Sequence, residues 1–297
     1  MKTQFSWGIT MKKARFGVAG NDEAFYNEGY KSSLQMPERL KKIGLDAYEY
    51  QCGRGVMIRT ETARELGERA AEHGIRLSVH APYYISLSSS EEKTRLGSIK
   101  YILQSARAAK AMRAGRIVLH SGSLSGRSRN EALELAKDTL RLAIAALKEE
   151  DLFKEINLCP ETMGKKNQLG TVEEVLELCA VHESFIPTLD FGHINCITGG
   201  ALKRPADFEK ILNQAENKLG EDRLKFFHCH FTKIQYGQAG ERMHLTYDDT
   251  EYGPEFEPLA EVVAKKNLAP VIISESNGTQ ARDALIMKSI YEGFLEC

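Results

Sequence analysis

Histidines and carboxylates stand at the carboxyl ends of six short apolar runs. Arg76-Leu-Ser-Val-His80 stops two residues before Pro82, which has no amide hydrogen to give to a sheet ladder. Arg116-Ile-Val-Leu-His120 runs into Ser121-Gly122, and Glu155-Ile-Asn-Leu-Cys-Pro-Glu161 ends on a carboxylate. Pro187-Thr-Leu-Asp190-Phe-Gly-His193 ends on a carboxylate and a histidine, Leu224-Lys-Phe-Phe-His228-Cys-His230 on two histidines, and Val271-Ile-Ile-Ser-Glu275 on a carboxylate. Neutral imidazole and carboxylate oxygen are the ligands of zinc and similar ions, and one carboxylate can bridge two ions. His80, His120, His193, His228 and His244, with Glu161, Asp190 and Glu275, supply ligands for two or three ions. Imidazoles dominate the set, which favours zinc over manganese. One strand-end histidine alone is more often a hydrogen-bonded structural residue; recurrence is what singles out this set. His228 and His230 are two apart on a strand and point the same way, so one serves as ligand and the other as its hydrogen-bonding neighbour.

Positioning these side chains requires the runs to converge. Two further extended runs, Arg15–Gly20 and Ala47–Cys52, bring the strand count to eight, each followed by a helical stretch. Pro37 fits an early helical position, Gly74 a helix C-cap, Asn130 an N-cap, and Thr171 with Glu174 a capping box. Parallel strands need crossovers, and eight βα units in a chain of this length predict a (β/α)8 TIM barrel forming a single domain over residues 1–297. An open doubly wound sheet is the alternative. Barrel closure would gather all six strand ends on one face, with 194–204 and 234–255 as loops covering it.

The net charge of −1 gives no global basic footprint, so it neither announces nor excludes a nucleic-acid partner. Six cysteines include no CxxC pair, which points to reduced, buried thiols, with Cys297 as a loose-end thiol. Residues 1–13 lack an apolar core and no later run approaches a membrane span, so the expectation is a soluble, cytoplasmic protein with no obligate protein partner. His73 and His182 fall before strands, on the face opposite the ligands. Gly53-Arg54-Gly55 and the Ser121–Gly126 loop can be read as phosphate cradles or as plain turns. Tyr83, Tyr84 and Tyr247 can be read as stacking platforms or as ordinary loop tyrosines.

His80-Ala-Pro-Tyr, Leu119-His120-Ser-Gly, Pro160-Glu161-Thr-Met-Gly, Leu189-Asp190-Phe-Gly-His193 and the Glu275 strand together resemble the successive motifs of the endonuclease IV family. These are apurinic/apyrimidinic endonucleases built on a xylose-isomerase-like barrel, and the resemblance runs from about residue 76 to 278. It implies a trinuclear zinc site. By that likeness His80 and His120 hold one ion with Glu161 bridging; Glu161, Asp190, His228 and Glu275 hold a second; His193 and His244 hold a third. Glu161, Asp190 and Glu275 would then be catalytic, abasic DNA the substrate, and the reaction phosphodiester hydrolysis. Where the family has Asp-Arg-His, this chain reads Glu241-Arg242-Met-His244. Either Glu241 or His230 fills the missing ligand place, or Arg242 itself supplies the positive charge, the expectation preferred here. Lys233 and Arg242 are the candidates for stabilising a leaving oxyanion, and Tyr83 for a supporting contact. The rival is a one-ion sugar isomerase or epimerase on the same barrel, sharing only Glu161, Asp190, His228 and Glu275.

Overall fold

The computed structural model describes residues 13–296. The expectations for the amino-terminal segment and for Cys297 fall wholly or largely outside them. Eight parallel strands form the barrel wall: β1 (Arg15–Ala19), β2 (Ala47–Gln51), β3 (Arg76–His80), β4 (Arg116–Leu119), β5 (Asn157–Pro160), β6 (Thr188–Asp190), β7 (His228–Phe231) and, after a hairpin of β8 (Ile234–Gly237) and β9 (Gly240–His244), β10 (Val271–Ser274). Their order is β5-β4-β3-β2-β1-β10-β7-β6, and a parallel bridge between Glu161 and Thr188 joins the two ends. The sheet therefore closes into the TIM barrel, and the open-sheet alternative is set aside.

Each wall strand leads to a helix that packs its apolar stripe on the barrel. The outer ring is made by Met36–Ile43, Thr60–His73, Glu92–Met112, Arg129–Glu149, Val172–Cys179, Pro205–Leu219, Glu257–Lys265 and Gln280–Leu295. Local chemistry sets their ends. Gly74 takes the left-handed conformation at φ 69° and closes Thr60–His73. Thr171 accepts from the Glu174 amide in a capping box. The Arg129–Glu149 helix starts earlier than expected: Ser128, not Asn130, is its cap, its Oγ accepting from the Glu131 amide while the Glu131 carboxylate accepts from the Ser128 amide. The main core is a continuous apolar layer between strands and helices, including Phe16, Phe227, Phe231 and Phe256, and a small second cluster joins Ala19, Ala47, Val271 and Ile273.

Five described cysteines are unpaired and buried. No described helix is long and apolar enough to cross a membrane. The two excursions expected as loops are more ordered than that. Residues Phe191–Ile197 form a short helix capped by Asp190, whose Oδ1 accepts from the His193 amide at 2.8 Å. Part of the stretch 234–255 is the β8–β9 hairpin, anchored on the β5 loop by the Glu241 amide donating to Gly164 O at 2.8 Å. Gly164 is needed for that approach: a Cβ there would lie 2.7 Å from His193 Cδ2 and 2.9 Å from Glu241 Cβ.

Candidate metal centre

The carboxyl ends of β3, β4, β5, β6, β7 and β10 converge on one mouth, where three groups of ligand-type atoms form, each confined within 4.8 Å, above a fourth made by Glu49, His228 and His230. One group is His80, His120 and Glu161; another is Glu161, Asp190, His230 and Glu275; the third is His193, Glu241 and His244. Glu161 belongs to two of them. Its Oε2 lies 3.3 Å from His80 Nε2 and 3.2 Å from His120 Nε2, while its Oε1 lies 2.9 Å from His230 Nδ1.

The histidines are held in a consistent way. His80 Nδ1 lies 2.9 Å from Ala81 O, His193 Nδ1 2.9 Å from Thr162 O, and His244 Nδ1 3.0 Å from Glu275 O. A carbonyl oxygen only accepts, so each Nδ1 carries the hydrogen and each Nε2 is the atom presented to the group. Nε2 of His193 and of His244 face Glu241 at 3.5 and 3.6 Å.

Charge in the mouth is concentrated and buried. Burial alone would raise the Glu161 carboxyl, but His230, His120 and His80 outweigh it and hold the group well below the usual carboxylate range. Burial likewise opposes ionisation of His80, yet Glu161 raises it to about 9. His244 is raised to about 9 against burial, chiefly by Glu241. Glu275 is lowered to about 2, again against burial, by His230. Asp190 goes the other way: burial, reinforced by the Glu275 and Glu161 charges, pushes its carboxyl up. Among the described residues its buried Oδ2 has no hydrogen-bond partner, since the His193 Nδ1 hydrogen 3.1 Å away is aimed at Thr162 O. An orphaned carboxylate oxygen among oriented imidazoles fits divalent cations, which would take the lone pairs that protons otherwise occupy.

The geometry changes several sequence assignments. His230, not His228, joins Glu161, Asp190 and Glu275, because register pairs His230 with Asp190 on the neighbouring strand. His228 pairs with Thr188, one layer deeper, and contacts Glu49 at 2.9 Å. Glu49 escaped the sequence reading; its one signal was a charge at the centre of a buried parallel strand. Glu241 joins His193 and His244, and Arg242 does not stand in the group. The cause is a β-bulge: Gln235 pairs with Met243 and Tyr236 with Glu241, leaving Arg242 as the extra residue. The bulge reverses strand parity, so Glu241 and His244 share a face while Arg242 is exposed beside Gly237. Lys233 is also turned away from an oxyanion role, since its Nζ donates to Asp249 O at 2.7 Å and to Glu255 Oε1 at 2.8 Å.

Other candidates sort more simply. Gly53-Arg54-Gly55 forms a turn closed by the Gly55 amide on Cys52 O, with Gly53 and Arg54 exposed, and the Ser121–Gly126 loop is fastened by the Leu124 amide on Asn167 O. Tyr247 bonds Glu257 at 3.2 Å with Lys233 over its ring at 5.1 Å. His182 packs edge-on against Phe153. Tyr83 and Tyr84, each 48% exposed, lie at the mouth after β3, and Arg54 Nε donates to the Tyr83 hydroxyl at 2.9 Å.

Comparison with known proteins agrees with this architecture. The chain is 30% identical over 277 residues to an uncharacterized protein of Methanocaldococcus jannaschii, covering 93% of this chain and 97% of that one. It is 25% identical over 216 residues to a probable endonuclease 4 of Finegoldia magna, covering 69% of this chain and 73% of that one. Among solved structures, a D-tagatose 3-epimerase-like protein superposes with TM-score 0.69 at 23% identity, covering 95% of this chain and 97% of that one. Endonuclease IV from Thermus thermophilus superposes with TM-score 0.67 at 20% identity, covering 95% and 99%. Residues 37–290, which carry seven of the eight wall strands and every ligand-type residue named here, match the Xylose isomerase-like TIM barrel family, and the protein belongs to that family.

Proposed function

We propose that the protein is a metal-dependent phosphodiesterase that breaks the DNA backbone at abasic sites. The observation that carries this reading is the sharing of Glu161 between two groups whose atoms are placed to hold an ion, with a third such group beside them. A one-ion sugar epimerase needs only Glu161, Asp190, His230 and Glu275. That group is present, and the epimerase-like structural neighbour makes it the second reading. His80, His120, His193, Glu241 and His244 go beyond its needs.

Divalent ions held in these groups, zinc favoured and manganese the alternative for the same ligands, would supply Lewis acidity toward phosphate oxygens. The residues of the chain do the positioning. Glu161 aims one carboxylate oxygen at each of two groups. Asp190 caps a helix with Oδ1 and thereby fixes Oδ2 in the mouth. The backbone of Glu275 orients His244 while its side chain joins the His230 group. At the rim, the Tyr83 and Tyr84 rings and the Arg54 guanidinium offer faces on which an unpaired base or sugar can stack, and a charge for a phosphate.

The test is a nicking assay on a duplex with one abasic position. The zinc-loaded protein should cut at that position and leave undamaged duplex intact, and Glu161→Gln should abolish cutting. Failure to cut, with turnover of a ketose in its place, would favour the epimerase reading.

A further inference from the structure

His230 is the exception among the oriented histidines. It presents Nδ1 to its group, at 2.9 Å from Glu161 Oε1 and 3.4 Å from Glu275 Oε2. Its Nε2 lies 3.0 Å from Glu49 Oε1, an approach too oblique to count as a formed hydrogen bond, and this buried nitrogen has no hydrogen-bond partner among the described residues. We propose that Glu49 is a positioning residue that holds the Nε2 hydrogen of His230 and so leaves Nδ1 to ligate the ion shared with Glu161, Asp190 and Glu275. Glu49 does for His230 what the carbonyls of Ala81, Thr162 and Glu275 do for His80, His193 and His244.

Donor and acceptor roles around Glu49 follow from chemistry. The Arg116 guanidinium lies 3.4 Å from His228 Nδ1, and a guanidinium only donates, so His228 Nδ1 accepts. The His228 hydrogen is therefore on Nε2 and goes to Glu49 Oε2 at 2.9 Å. Ser78 Oγ donates to the same oxygen at 2.8 Å, and Gln51 Nε2 donates to Oε1 at 3.2 Å. Glu49 is thus surrounded by donors and fully buried, an acceptor whose orientation is fixed from three strands. A fourth ion held by Glu49, His228 and His230 does not fit, because the fixed cation of Arg116 already occupies His228 Nδ1. The remaining role is to set the tautomer and ring orientation of His230.

This inference rests on the reading of His230 as an ion ligand, not on the choice of substrate. The test uses protein with 15N-labelled histidine, saturated with zinc alone, and long-range proton–nitrogen spectra. His230 should carry its hydrogen on Nε2, while His80, His193 and His244 carry theirs on Nδ1. Glu49→Gln should weaken the affinity for one zinc ion by about 10- to 100-fold, leave the others unchanged, and scramble the His230 tautomer alone. A His230 hydrogen on Nδ1 in the unmodified protein would overturn the proposal. So would a Glu49→Gln variant whose zinc affinities and spectra match the unmodified protein. Because the tautomer is read in the unmodified protein, the test stands even if the variant fails to fold. Neither readout involves a substrate, so failure here is distinguishable from failure of the phosphodiesterase reading.

Discussion

Removing metal should expose a pH-dependent contribution of His80 to stability. Its pKa is raised from 6.5 to about 9 in the folded chain, where Glu161 overcomes the cost of burial. A group raised on folding stabilises fully below its unfolded pKa, and that contribution fades as pH climbs through the folded value. The gap of roughly 2.5 pH units corresponds to about 3 kcal/mol. In chelator-treated protein, His80→Gln should therefore cost about 3 kcal/mol more at pH 6 than at pH 9.5. Urea unfolding of both proteins at both pH values measures this double difference, in which other titrating groups largely cancel. With zinc present the sign reverses, since an ion needs the Nε2 lone pair and binds better as protons leave. A His80→Gln cost independent of pH in the metal-free protein, or one that grows with pH, would refute the assigned charge state.

Other perturbations separate the groups. Glu161→Gln touches two groups and should lower the single-turnover rate on abasic duplex by about 10³-fold or more, roughly 4 kcal/mol. His244→Ala, confined to the third group, should cost less, and equal losses would contradict the ranking. Arg242→Ala should leave zinc content unchanged, because the bulge carries Arg242 into solvent; a lost ion by elemental analysis would show otherwise. Gly17→Ala should destabilise the barrel by about 3 kcal/mol in urea melts, since a Cβ there overlaps the Ala47 backbone.

The barrel was legible because each strand is a short apolar run closed by turn chemistry and followed by a helix of period 3.6. The same pattern put His80, His120, Glu161 and Asp190 at strand ends, where one strand suffices to locate them. His228 and His230 could not be separated that way. Both point inward from β7, and which of them reaches the mouth depends on pairing with β6, where Asp190 meets His230. Glu49 was hidden for a related reason: it pairs with Ser78, two residues below the His80 layer, and only barrel closure brings it against β7. The role of Arg242 was not legible, because in the sequence the one extra residue between Glu241 and His244 looks like a change of chemistry. The hairpin absorbs it as a bulge and keeps both ligand-type residues on one face.

The number of ions that the mouth holds is the decisive quantity. Elemental analysis of zinc-saturated protein, freed of loosely bound metal by gel filtration, measures it directly. Three groups, two of them sharing Glu161, predict three ions per chain, with Glu161→Gln losing more than one and Glu241→Ala losing one. A single ion per chain in the unmodified protein, at full saturation, would contradict the phosphodiesterase reading and leave the epimerase reading in its place.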